Sequence, residues 1–281
     1  METGTVITIT SLKGGVGKST VAANLAHALA ARGNKVLAVD CDFNMRSLDL
    51  IFGVENQVVY DLFDVLTRNI PLKKAIINDE RRAGLDFCPA PYSIDGDVPE
   101  KEFCALIRSC VSDDAESSGR KNNGEKEQPP HYDYVIIDTP GDTKVTLSRV
   151  AAVTDIGIIV TTHQPAAVRA AERTGYYLGE LGVAQRKLII NAFDSEAVVR
   201  GIHPGIIETI DNTGMQLLGV IPYDSEMLSL QEKGMLVAEG GNSIGCRNCT
   251  RAFTNIAGRL AGENLQLFDG FKRLEKNITL I

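Results

Sequence analysis

SLKGGVGKST, residues 11–20, stands between the apolar run VITIT (residues 6–10) and a segment of helical period. Glycines at 14, 15 and 17 let successive backbone N–H groups turn inward around phosphate oxygens without Cβ clashes. The helix that follows adds the partial positive charge of its N-terminus. Lys18 is in register to reach β- and γ-phosphates and the Ser19 hydroxyl to ligate Mg²⁺, with Val16 and Thr20 completing the cradle. An ordinary P-loop would carry its first glycine where Leu12 stands, so the motif is a deviant Walker A. A turn that only capped a helix would have no use for Lys-Ser-Thr at this spacing.

Outward from that loop, a helix is expected from Gly17 to about Ala31, with Val21, Leu25, Ala28 and Leu29 as its apolar stripe and Gly33 as its stop. Strand-length runs follow: KVLAVD, YDYVIID, DIGIIVTT, RKLIINAF and MQLLGVIPYD. Strands alternating with helices give an α/β protein. Runs that are apolar at consecutive positions suit a mostly parallel sheet covered on both faces, hence a three-layer, doubly wound P-loop NTPase fold. A length of 281 residues allows two domains or one large α/β domain. Residues 112–131, SDDAESSGRKNNGEKEQPPH, are almost free of apolar side chains and read as a mobile insertion loop. Phosphate-site residues lie on both sides of it, so one domain over 1–264 is expected, followed by an amphipathic tail over 265–281.

The chain is 44% hydrophobic with a formal net charge of −7, which argues against disorder and makes nucleic acid an unfavourable partner. It begins without a basic, then apolar, signal-like segment, and no run approaches 18 consecutive apolar residues. Six cysteines in a chain of this length fit reduced thiols, so a cytoplasmic location is expected.

Carboxylates gather where the strands end. VLAVDCD places Asp40 and Asp42 two residues apart at the end of a strand, and YVIIDTPGD places Asp138 at the end of another, before Pro140-Gly141. Ligands in open α/β sheets bind at these strand ends. Asp138 is the Walker B candidate for Mg²⁺, and Gly141 can leave a backbone N–H for the γ-phosphate. Asn191 ends a third strand, and Pro222, Tyr223 and Asp224 follow a fourth. Each of these also fits an ordinary turn. Cys41, inside the Asp-Cys-Asp run, fits a packed neighbour of the acids.

The P-loop with Lys13, the paired acids and the Asp138 motif together resemble the MinD/ParA family of ATPases, of the SIMIBI class. The resemblance covers nearly all of the chain outside 112–131. It implies ATP and Mg²⁺ as ligands, with catalytic roles for Lys13, Lys18, Asp42 and Asp138. Lys13 would reach across an ATP-dependent homodimer to the partner's phosphates. Asp42 would orient the attacking water, and Asp40 would sit nearer the metal with Ser19 and Asp138. Asn191 and the Pro222–Asp224 loop would frame adenine; NAFD at 191–194 lacks the lysine of a GTP-type motif.

Residues 44–66 and 161–174 resemble the MinD branch, which implies a dimerisation switch that sets division-septum placement with MinC- and MinE-like partners at the inner face of the membrane. A ParA-like or flagellar-number regulator, acting on nucleic acid or a protein, is the alternative. In the tail, Leu267, Phe271, Leu274, Ile278 and Ile281 form one stripe, while Lys272, Arg273 and Lys276 against Asp269 and Glu275 leave a charge of only +1. That stripe fits a peripheral membrane contact or packing on the chain's own core equally well. Cys246-Arg-Asn-Cys249 raises an Fe–S carrier as a third reading, although a single pair offers at most half a site.

Overall fold

The computed structural model describes residues 3–43, 45–94, 96–112, 121–122, 125–126, 130–141, 144–240 and 243–270. Its strands are β1 (Thr5–Thr10), β2 (Val36–Asp40), β3 (Ile77–Asn78), β4 (Leu85–Cys88), β5 (Lys121–Asn122), β6 (Glu125–Lys126), β7 (Tyr134–Asp138), β8 (Ile156–Thr161), β9 (Gln185–Phe193) and β10 (Gln216–Pro222). Eight of them form one sheet in the order β10-β9-β8-β1-β7-β2-β4-β3. It is parallel except where β3 runs against β4.

The first four helices are α1 (Lys18–Ala30), α2 (Leu48–Phe52), α3 (Leu62–Thr67) and α4 (Leu72–Ala75). Next come α5 (Glu100–Val111), α6 (Lys144–Ala151), α7 (Pro165–Glu180) and α8 (Ser195–Val199). The last are α9 (Ile206–Thr213), α10 (Ser225–Gln231) and α11 (Ile244–Leu260).

Alternate strand residues feed cores on opposite faces, as the two-residue period of a strand requires. Ile7 and Ile9 of β1, Ala38 of β2 and Ile136 of β7 join α1, α2, α10 and α11 on one face. Val6, Leu37, Val39, Val135 and Ile137 join α3, α4 and α5 on the other. Further along that second face, Ile159, Leu188 and Ile190 pack with Leu147 of α6 and Leu178 of α7. The expected three layers are present. The burial of α1 is wider than the expected stripe: Ala22, Ala23 and Ala26 are buried as well, because α11 packs on it from outside.

Strands β3 and β4 were not expected from the sequence. Leu85–Cys88 is a four-residue run between Gly84 and Pro89, too short for its pattern to stand out from a loop, and β3 has only two residues. Most of 112–131 lies outside the described residues; its described part includes the short antiparallel pair β5 and β6. The tail is described only to residue 270. There Leu267 and Phe268 pack against the α6/α7 core, and the Asn255 Nδ2 donates to the Asp269 carbonyl at 2.8 Å. Phe271–Ile281 lie outside the described residues.

The sheet also sets the site. In the parallel register Ile9 faces Asp138, and Asp138 faces Asp40. Three neighbouring strands therefore end together beside the 11–20 loop.

Candidate nucleotide-binding site

The loop between β1 and α1 has the conformation that its glycines permit. Gly15 has φ of 75°. Gly17 is the left-handed N-cap of α1, with φ of 91° and no side-chain cap, which leaves the helix N-terminus to an outside acceptor. A Cβ at Gly17 would lie 2.2 Å from the Asn191 Nδ2. Before the loop lies a cleft of about 670 Å³, whose lining includes Gly14, Gly15, Lys18, Ser19, Thr20, Asp42 and Gly141. Gly141 closes in tightly: a Cβ there would stand 3.0 Å from the Gly14 Cα and 3.1 Å from the Lys18 Nζ. A side chain at 141 would push the loop after β7 away from the lysine.

The three strand-end acids occupy different environments. Asp40 is fully buried. One of its oxygens accepts from the Asp42 N–H at 2.8 Å and the other from the Leu48 N–H at 3.1 Å. Burial pushes its carboxyl up to about 7, opposed by those two N–H groups and reinforced by the charges of Asp42 and Asp49. Asp40, expected on the metal side, thus has both oxygens engaged in holding the turn from β2 to α2. Asp42 lines the cleft and accepts from the Met45 N–H at 3.1 Å.

Asp138 is fully buried, and neither of its oxygens has a hydrogen-bond partner among the described residues. Burial and the Asp40 charge push its carboxyl well above the usual range. The nearby Ser19 hydroxyl and the Lys18 charge pull the other way. An orphaned buried carboxylate needs a missing partner. Hard oxygen donors, a carboxylate beside a hydroxyl, suit Mg²⁺. Ser19 and Asp138 therefore fit that ion, and Asp40 fits it less well.

Sequence reasoning missed several residues of the cleft. The Ser47 Oγ lies 3.2 Å from the Ser19 Oγ, and the Thr20 Oγ1 donates to the Gln231 Oε1 at 3.0 Å. Ser47, Leu50, Leu228, Gln231 and Glu232 all join the lining. A serine just before a helix that follows Asp-Cys-Asp was a usable signal for Ser47; α10 carried none.

Other expected residues lie outside that lining. Lys13 is exposed, and its N–H donates to the Ser11 Oγ at 3.2 Å. Asn191 braces the loop from behind, with Nδ2 donating to the Val16 carbonyl at 2.9 Å, while its Oδ1 is buried without a hydrogen-bond partner among the described residues. Tyr223 is exposed. Asp224 caps α10, accepting from the Glu226 and Met227 N–H groups. The Pro222 carbonyl accepts from the Cys249 Sγ at 3.3 Å, and the Cys246 Sγ donates toward the Val237 and Gly240 carbonyls. Burial raises both thiols, Cys246 to about 11. Among the described residues no group of three His, Cys, Asp or Glu converges to hold a metal ion. Cys41 is buried beside Asp40, and burial raises its thiol far above the ordinary value.

A parallel sheet with a glycine loop at the end of a central strand, and acids at the ends of its neighbours, defines a P-loop nucleotide-binding protein. Residues 7–237 match the CobQ/CobB/MinD/ParA nucleotide binding domain, and the chain belongs to that family. It is 32% identical over 268 residues to the septum site-determining protein MinD of Helicobacter pylori, spanning 93% of this chain and 92% of that one. Among solved structures it resembles the MinC:MinD cell division protein complex of Aquifex aeolicus, with a TM-score of 0.79, 28% identity and coverage of 94% and 98%. It also resembles MinD of Pyrococcus horikoshii complexed with Mg-ADP, with a TM-score of 0.72, 26% identity and coverage of 93% and 100%.

Proposed function

We propose that this chain is a Mg²⁺-dependent ATPase of MinD type, which closes into a dimer around ATP and uses that state to act at the membrane in division-septum placement. The observation that carries this reading is Asp138: a carboxylate fully buried without a hydrogen-bond partner among the described residues, close to Lys18 and Ser19 of the glycine cradle. Backbone N–H groups from Gly14 to Thr20 and the α1 N-terminus take the phosphate oxygens. Lys18 balances charge on the β- and γ-phosphates. Ser19 and Asp138 hold Mg²⁺, which when bound spreads the charge of the transferring phosphoryl group. Asp42, which lines the cleft, orients the attacking water, and the Gly141 N–H faces the γ-phosphate.

Lys13 lies outside its own cleft lining, as suits a cation offered to the partner's phosphates, so that hydrolysis awaits dimerisation. The Asn191 Oδ1 is available to the amino group of adenine, with the Pro222–Asp224 loop as the other side of the base site. The similarity to the Aquifex aeolicus complex supports a MinC-like partner, and a MinE-like partner would go with the same MinD-type activity. Residues 1–264 form the ATPase domain. The 265–281 tail, whose Leu267 packs on the chain's own core, offers lipid the rest of its apolar stripe, a weak contact that two copies in a dimer strengthen. No helix among the described residues is long and apolar enough to cross a membrane.

Hydrolysis and sedimentation with anionic-lipid vesicles test this together. ATP turnover should require Mg²⁺, and Asp42→Ala should trap an ATP-bound dimer that pellets with the vesicles while the nucleotide-free protein does not. Turnover unaffected by EDTA would sink the metal assignment. An Asp42→Ala chain that stays monomeric with ATP by light scattering would sink the role given to Asp42. A dimer that never pellets would sink the membrane role.

A further inference from the structure

The peptide just before Lys13 is anchored to a distant helix. The Leu12 N–H donates to the Thr174 Oγ1 at 3.0 Å across a separation of 162 residues. Thr174 belongs to α7 and is fully buried. Its hydroxyl donates to the Ala170 carbonyl of the same helix at 2.7 Å. A hydroxyl has a single proton, so with that proton directed at Ala170 its lone pairs are left for Leu12.

The following amide is held as well, since the Lys13 N–H donates to the Ser11 Oγ. Leu12 lines a second cleft, of about 840 Å³, with Arg173, Tyr176, Tyr177 and Met215. Gly14 and Gly15 already line the phosphate cleft. The chain thus passes from one cleft to the other within the three residues from Leu12 to Gly14, and among the described residues the side-chain hydrogen bond that ties this stretch to α7 is the one to the Thr174 hydroxyl.

We propose that Thr174 is a positioning residue for Lys13: by fixing the Leu12 peptide, it sets the point from which the exposed lysine extends toward the phosphates of a second copy of the chain. This rests on the proposed in-trans role of Lys13.

Thr174→Val keeps the shape of the side chain and removes the acceptor, whereas Thr174→Ser keeps the acceptor. With turnover normalised to protein that binds ATP, Thr174→Val should lose about tenfold in kcat, the scale of a small misplacement of a reacting group, with KM and ATP affinity unchanged. Thr174→Ser should stay near wild type. In a Lys13→Ala background, Thr174→Val should add no further loss, because both changes remove the same contribution. Equal losses in Thr174→Ser and Thr174→Val, or a loss that lies in ATP affinity, would overturn the proposal. So would an unimpaired Thr174→Val beside an inactive Lys13→Ala, which leaves the reading of Lys13 intact. Wild-type turnover in Lys13→Ala would overturn both, by removing the role that Thr174 is said to support.

Discussion

Arg82 and Asp138 are both buried ionisable groups, and the molecule treats them in opposite ways. The Arg82 side chain, 1% exposed, donates to both carboxylate oxygens of Glu239, at 2.5 and 2.9 Å, to the Asp79 carboxylate at 2.9 Å, and to the Phe52 and Gly234 carbonyls. Its guanidinium also lies over the Phe52 ring at 5.2 Å. Asp138 is as deeply buried, and its oxygens have no hydrogen-bond partner among the described residues. A buried charge that is fully paired is a structural joint, here tying the end of α2 to the 234–239 loop. A buried carboxylate without a partner destabilises the fold unless something that binds there completes it. The contrast separates a residue whose contacts complete the fold from one whose oxygens are left for the ligand proposed above.

The largest expected effect tests the ligand side. Asp138→Asn should lower Mg²⁺-dependent turnover by about 10³-fold, about 4 kcal/mol of transition-state stabilisation. The same change should leave the nucleotide-free protein as stable as wild type in urea, or more stable by about 1 kcal/mol, since it removes a buried ionisable group whose charged form the site disfavours. If Asp138→Asn weakened the nucleotide-free fold by several kcal/mol, Asp138 would belong with Arg82 as a joint.

Glu239 tests the other side. Glu239→Gln takes the charge from one partner of a pair whose arginine is buried, and should cost about 3 kcal/mol of stability while sparing turnover per folded molecule. The pH profile sharpens this. Burial acts upward on the Glu239 carboxyl but is outweighed by the Arg82 hydrogen bond, the Leu236 N–H and the charges of Arg82 and His27, which together hold it below the ordinary 4.5. With the folded value depressed, the unfolded chain binds more protons on acidification. The stabilisation is therefore full above about 4.5 and is lost as pH falls through the folded value. Wild type should lose stability more steeply than Glu239→Gln in that window, measured by urea midpoints against pH; parallel profiles would break the argument.

These two clusters also show where reading the chain succeeds. The placement of the glycine loop, Lys18, Asp42 and Asp138 at one end of the sheet was legible because glycines, a lysine and strand-end acids stand at fixed short spacings in one order along the chain. The alternation of strand and helix was legible for the same local reason, and β4 was not, because four residues carry too little pattern. The difference between Asp40 and Asp138 depends on which carboxylate meets the Asp42 and Leu48 N–H groups once the turn has formed. The Arg82–Glu239 pair and the Thr20–Gln231 bond join residues 157 and 211 positions apart. No local spacing announces such contacts.

Asp224 gives the smallest expected effect and draws the line between fold and ligand most finely. Its Oδ1 accepts the two N–H groups that cap α10, and its Oδ2 lies 3.4 Å from the Ser243 Oγ, which donates to it. A residue that only caps should lose about 1 kcal/mol of stability on Asp224→Ala and much less on Asp224→Asn, because asparagine also caps well. Neither change should then alter ATP affinity. A residue that also frames the base should weaken ATP binding in Asp224→Ala through displacement of the Pro222–Asp224 loop, and Asp224→Asn should restore it. Urea denaturation and nucleotide titration of the same two variants separate the cases. Retained ATP affinity in Asp224→Ala would assign Asp224 to the cap alone, on the Arg82 side of the comparison.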